Sequence, residues 1–157
     1  MASKINVLLE DAKVGGDSAC VCRAGSAADT QHLIEKVRQD LYLRHYGQRA
    51  VKPSVRSAAY FIRYLLNKSQ QKVSCSLICA GYDSSDQQGI IYSIAQSGAL
   101  FDRSEEGVLT LGSGSVLVQA YLDDQYRSNM KQEDCVAMLA RAIELAMARD
   151  GHSGGVA

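Results

Sequence analysis

Arg23-Ala24-Gly25-Ser26-Ala27-Ala28-Asp29-Thr30-Gln31 joins an apolar, strand-like run to an amphipathic helix, and its reading decides the fold. Upstream, Ala19-Cys20-Val21-Cys22 has the composition of a short strand, and Ile5 to Leu9 that of another. Gly15-Gly16-Asp17 is a turn signal between them, so a hairpin is the simplest arrangement. Downstream, Ser26 is placed to cap a helix with Asp29 at its third position, and Leu33, Ile34, Val37 and Leu41 recur on one helical face. The pattern predicts a helix end near Gly47, and Gly25 is left as a backbone glycine at the turn.

Further along, Pro53-Ser54 opens a second helix whose Val55, Ala58, Ala59, Ile62, Leu65 and Leu66 form an apolar stripe, with Arg56, Arg63 and Lys68 outside it. Two such helices need a layer to cover. Val73–Ala80 and Gly89–Ala95 supply strand-like runs, joined by the polar turn Asp83-Ser84-Ser85-Asp86-Gln87-Gln88. That turn lacks the spaced oxygens and terminal glutamate of a calcium loop. Val108-Leu109-Thr110-Leu111 reads as another short strand, after which Gly112-Ser113-Gly114-Ser115 turns into a helix carrying Val116, Leu117, Ala120 and Tyr121. A last helix is expected from about Lys131 to Arg149, with Val136, Leu139, Ala140, Ile143 and Met147 on one face and Glu133 and Asp134 in its first turn. Gly154-Gly155-Val156-Ala157 then begins a strand.

A chain of 157 residues suffices for one domain with a sizeable core, and nothing in it reads as a linker. Seventeen basic and seventeen acidic side chains cancel and neither sign is clustered, which disfavours a nucleic-acid or anionic-membrane partner. No apolar run approaches the roughly 20 residues of a membrane span, and the first residues lack the pattern of a secretory signal, so the reading is soluble and intracellular. Four of the five cysteines, Cys20, Cys22, Cys75 and Cys79, lie in strand-like runs, as packing thiols in a reducing compartment do. Cys20 and Cys22 would share one strand face, but no second pair completes a zinc site. No metal and no organic cofactor is expected.

With Gly112-Ser113-Gly114-Ser115 and Arg149-Asp150-Gly151-His152-Ser153-Gly154-Gly155, the stretch around Gly25 resembles the beta subunits of the proteasome, and most of all the caspase-like, post-acidic type. The resemblance covers nearly the whole chain. It implies an α+β fold, a four-layer αββα sandwich of the N-terminal nucleophile hydrolase type, with residues 1–157 as a single beta-type domain. It also implies a place in the seven-subunit beta ring of the 20S core, with the other alpha and beta subunits as partners and unfolded polypeptides as substrates. The work would be ATP- and ubiquitin-linked protein degradation in cytoplasm and nucleus, by a threonine-type endopeptidase.

In that family the hydroxyl of an amino-terminal threonine attacks the peptide carbonyl while its own α-amine takes the proton. By resemblance, Lys4 corresponds to the lysine beside the nucleophile's oxygen, although the segment from Leu8 to Ser18 is longer than in relatives. Gly25 corresponds to the glycine whose N–H faces the developing oxyanion. Asp150 and Ser153, with Ser113, correspond to the groups orienting the amine. Arg23 corresponds to the base of the specificity pocket, where a guanidinium selects carboxylates, and Thr30 and Gln31 to the walls of the same groove. Each has a plainer alternative: Lys4 a solvated lysine, Arg23 a surface arginine at a strand end, Gly25 a turn glycine, Ser113 a helix cap and Asp150 a polar helix end. His152 stands where close relatives often have serine and is taken as a loop substitution, while His32 and His45 have no recognisable partner.

The chain opens Met1-Ala2-Ser3, without the family's threonine, and the expectation is that it is inactive as written and lacks the leading and trailing strands of the fold. Those strands would cover one sheet, so the chain alone is expected to be insoluble or to unfold without cooperativity. Two other functions remain open: a non-catalytic structural ring subunit, and an anion-binding module built on the Gly112–Ser115 helix start, the last weakened by the lack of a phosphate-loop lysine.

Overall fold

The computed structural model describes residues 4–10, 18–46, 54–69 and 74–154, without side-chain detail for residues 10 and 44–46. The expected turn at 15–17, the helix end at Gly47, Pro53, Val73 and the last residues from Gly155 lie outside the described residues. The chain divides into two compact units, Met1–Glu106 and Gly107–Ala157.

The first unit holds five strands, β1 (Ile5–Glu10), β2 (Ser18–Gly25), β3 (Cys75–Asp83), β4 (Gln88–Ile94) and β5 (Leu100–Asp102), in one antiparallel sheet whose spatial order is the chain order. Its two helices are α1 (Ala27–Tyr46) and α2 (Val55–Lys68). Side chains of a strand alternate between faces, and the register places Val21 opposite Cys79, Cys79 opposite Tyr92, Leu77 opposite Ile94 and Ile94 opposite Leu100. This set forms one sheet face, and it packs with Leu33, Ile34, Val37 and Leu41 of α1 and Val55, Ala58, Ala59, Ile62 and Leu66 of α2 in one continuous core. The helical stripes expected from the sequence are the buried ones. Helix α2 starts with a reciprocal capping box, Ser54 accepting from the Ser57 N–H at 3.1 Å and the Ser57 hydroxyl accepting from the Ser54 N–H at 2.8 Å. The cap expected at Ser26 is looser, with Asp29 N–H at 3.5 Å from the Ser26 hydroxyl.

One strand expectation needs correction, and one strand was not foreseen. Val108–Leu111 forms no strand, because β propensity without a neighbouring ladder leaves the backbone unpaired by a sheet. The fifth strand is instead Leu100–Asp102, which follows the tight turn closed by the Gly98 N–H donating to the Ala95 carbonyl at 2.9 Å.

The second unit contains α3 (Ser115–Gln125) and α4 (Gln132–Arg149), packed through Val118 and Leu122 of one and Met138 and Ala142 of the other. The apolar positions singled out in the sequence lie elsewhere: Val136, Leu139, Ile143 and Met147 of α4 and Val116 and Leu117 of α3 are exposed. No helix among the described residues is long and apolar enough to cross a membrane.

Candidate functional site

In the first unit the residues of interest gather at the end of β2 and the start of α1. The Arg23 N–H donates to the Lys4 carbonyl at 3.0 Å, so the sheet sets Lys4 across from Arg23 despite the long intervening segment. Lys4 itself is exposed. Arg23 is buried, 8% exposed, which rules out the reading of a surface arginine at a strand end. Its Nη1 donates to the Ala27 carbonyl and to the Thr30 hydroxyl, both at 3.1 Å, and a cation at this depth needs such acceptors. Thr30, 2% exposed, sits with its hydroxyl 2.8 Å from the Ser26 carbonyl and 3.1 Å from that of Ala27. The guanidinium is thereby tied to the first turn of α1. Gln31 is exposed on the same turn.

Gly25 ends the strand at φ +109°, a conformation that disfavours any side chain. A Cβ there would lie 2.3 Å from the Ser74 carbonyl oxygen, which accepts the Ser26 N–H at 2.8 Å. The close approach of the two chains demands glycine, and it is what turns β2 into α1.

In the second unit Ser113, Asp150 and Ser153 converge. The Ser113 and Ser153 hydroxyls each donate to Asp150 Oδ2 at 2.6 Å, and the His152 N–H donates to Oδ1 at 3.2 Å. Ser113 and Asp150 stand at the start of α3 and the end of α4, so the bond between them spans the helix pair. Donation by Ser113, then Ser153, with the His152 N–H adding less, holds the Asp150 carboxyl down to about 2. The helix-cap alternative for Ser113 fails, because the N-cap of α3 is Gly114, with no side-chain cap, and the Ser113 hydroxyl is spent on Asp150. Gly114 is a contributor that sequence reading missed. A Cβ on it would lie 2.9 Å from Ser153 Oγ and 3.4 Å from Asp150 Oδ2, so glycine makes the room for the cluster, and the Gly-Ser-Gly-Ser run was its only signal. The His152 imidazole is 90% exposed, 3.7 Å from Asp150 Oδ1, as suits a loop position. Among the described residues no group of three or more His, Cys, Asp or Glu side chains could hold a metal ion.

The first unit, an antiparallel sheet covered by paired helices with a glycine strand-to-helix turn, and the second, a helix pair with a serine-bound carboxylate, are each consistent with an α+β protein of the N-terminal nucleophile hydrolase kind. The proteasome subunit family model matches residues 12–157, and the chain belongs to that family. It is similar to the probable proteasome subunit beta type-1 of Schizosaccharomyces pombe, 39% identical over 141 residues, covering 88% of this chain and 59% of that protein. It is similar also to the proteasome subunit beta type-6 of Dictyostelium discoideum, 33% identical with coverage of 86% and 61%. With the proteasome subunit beta type-9 of Salmo salar it shares 35% identity, with coverage of 98% and 68%. The chain thus spans about three fifths of the length of the first two of these relatives.

Proposed function

We propose that this chain is a beta subunit of the 20S proteasome core and that its groups serve a threonine-type endopeptidase cutting after acidic residues. The observation that carries the reading is the Asp150 carboxylate gripped by the hydroxyls of Ser113 and Ser153. A carboxylate kept ionised and fixed in direction by two short hydrogen bonds is suited to orienting an amine that must act as a base. In this reading the attacking hydroxyl and α-amine belong to an amino-terminal threonine. Lys4 favours its deprotonation, the Gly25 N–H receives the oxyanion, and Thr30 and Gln31 line the groove. Residues 1–157 act as one beta-type domain, partnered by other alpha and beta subunits, working on unfolded polypeptides in cytoplasm and nucleus.

Arg23 gives the post-acidic specificity. A hydrogen bond to a charged group contributes about 1.5 to 3 kcal/mol, which corresponds to at least roughly tenfold discrimination. Its anchoring to Thr30 and the Ala27 carbonyl supports this role, because a guanidinium held in place loses less freedom on meeting a carboxylate. The test is peptide hydrolysis by assembled particles carrying Arg23→Met in the natural subunit. Cleavage after Glu should fall about tenfold or more while cleavage after apolar residues by neighbouring subunits is unchanged. Unaltered cleavage after Glu would refute the specificity, and would favour a structural ring subunit if Asp150→Asn were equally silent.

A further inference from the structure

Helix α2 carries Arg56, Arg63 and Lys68 and no acidic residue between Val55 and Lys68. Elsewhere basic side chains meet carboxylates one turn away, Arg38 with Glu35 in α1 at 3.6 Å and Arg141 with Glu144 in α4 at 2.9 Å. Arg56, Tyr60, Arg63, Tyr64 and Lys68 recur at helical spacing, all exposed on the side turned from the core, along about 18 Å of helix axis. Tyr60 and Tyr64 are 51% and 53% exposed, although both are large rings. Neighbours hold this face in shape. Arg56 Nε donates to the Tyr92 hydroxyl at 3.3 Å. Phe61, packed against the core, stacks on Tyr64 with ring centres 6.0 Å apart, and Lys68 Nζ lies 5.6 Å from the centre of the same ring. The carboxylate on the Arg56 side is Asp102, opposite Tyr92 in the sheet, and Ser104 engages it, its N–H and hydroxyl donating to Oδ1 at 3.0 and 2.6 Å.

We propose that this face of α2 docks on a carboxylate-bearing surface of a neighbouring subunit in the proteasome particle. Arg63 and Lys68 meet Asp or Glu of the partner, and Tyr60 and Tyr64 cover the ground between them. The inference rests on the reading of the chain as a subunit of the particle, and adds the place and chemistry of one contact. Charge complementarity selects the partner, because three cations with no carboxylate on their own helix gain most from an acidic surface, which also orients the approach. Residue type selects a protein, since tyrosine and arginine carry much of the binding energy where proteins meet. A nucleic-acid base needs an open ring face to stack on, whereas the Tyr64 ring is already engaged by Phe61 and Lys68. The balanced charge of the whole chain also gives no long-range attraction to phosphates. With Arg56, Tyr64 and Lys68 held by their neighbours, little side-chain freedom is lost on docking.

The experiment treats purified particles containing the natural subunit with a zero-length carbodiimide, which joins an ammonium to a carboxylate only where the two are in contact, and reads the linked peptides by mass spectrometry. Lys68 should be joined to an Asp or Glu of another subunit, and Arg63→Lys should add a second such link from position 63. Arg63→Glu should lower incorporation of a tagged subunit, in competition with the co-expressed parent, by about tenfold or more, while Arg63→Lys is incorporated like the parent. A subunit missing from the particles would overturn the particle reading and this contact with it. A subunit present with Lys68 linked to nothing, or only within its own chain, would overturn the contact alone, as would an Arg63→Glu subunit incorporated like the parent. Association lost on nuclease treatment would overturn it in favour of a nucleic acid.

Discussion

Replacing Gly25 with alanine isolates the strand-to-helix turn on which the first patch is built. The new Cβ meets the Ser74 carbonyl oxygen at 2.3 Å and Cys75 Cα at 3.0 Å, and both are backbone atoms that no rotamer change can move. Two terms add. Holding an alanine at φ +109° costs about 1 to 3 kcal/mol, and opening the backbone contact costs a further ~1 to 3 kcal/mol. A loss of about 3 kcal/mol is a large share of the ~5 to 15 kcal/mol that holds a domain folded. Gly89→Ala is the matched control, since its Cβ would find only the Gly81 carbonyl oxygen, at 4.0 Å. That variant should lie within about 1 kcal/mol of the parent, on the stabilising side if anything, because alanine has fewer unfolded conformations to lose. Urea unfolding followed through the eight tyrosines, in a chain without tryptophan, reads the difference. With a slope near 2 kcal/mol per molar, Gly25→Ala should lower the midpoint by about 1.5 M. Where the isolated chain does not stay in solution, limited proteolysis of the subunit in the particle reads the same contrast. Equal midpoints for the Gly25 and Gly89 variants would refute the claim that this turn requires glycine.

Other outcomes follow from the same structure. The folded-state carboxyl of Asp150 lies below its unfolded value, so its contribution to stability is fully present above about pH 4 and is lost as pH falls through about 2. Ser113→Ala should move the Asp150 titration up toward the ordinary carboxylate range, read by carboxyl NMR, and an unmoved titration would show that the hydroxyl does not hold it. Met138→Ala, which removes a side chain buried between α3 and α4, should destabilise by about 2 to 5 kcal/mol. Val136→Ser on the exposed side of α4 should cost under about 0.5 kcal/mol, and comparable losses for the two would contradict the packing of that helix pair. Arg23→Lys should destabilise by about 1 to 3 kcal/mol in thermal unfolding, because an ammonium cannot reproduce the paired reach to Ala27 and Thr30.

Much of this was legible in the chain itself. Helical periodicity identified the buried faces of α1 and α2 residue by residue, because a helix on a sheet must bury one stripe and both stripes are uninterrupted. The glycine turn at Gly25 was legible likewise, and Asp150 and Ser153, singled out with Ser113 by resemblance, are brought together with it in the structure. Periodicity failed for α4, whose most regular apolar stripe, Val136, Leu139, Ile143 and Met147, is exposed while Met138 and Ala142 are packed. A hydrophobic period says that a helix has an apolar side, but not which side its neighbour takes. It failed also at Val108–Leu111, because strand propensity is realised only where a partner backbone stands alongside.

Local sequence, then, determined the four helices, four of the five strands and the chemical types at the candidate site, since capping, turn geometry and amphipathic period act over a few residues. Tertiary structure alone decided that Arg23 is buried and tied to Thr30, that Gly25 abuts the Ser74 carbonyl, and that Ser113 reaches Asp150 from 37 residues away. The last two rest on distances between segments remote in the chain, and a sequence pattern carries no such distances until the packing of the elements fixes them.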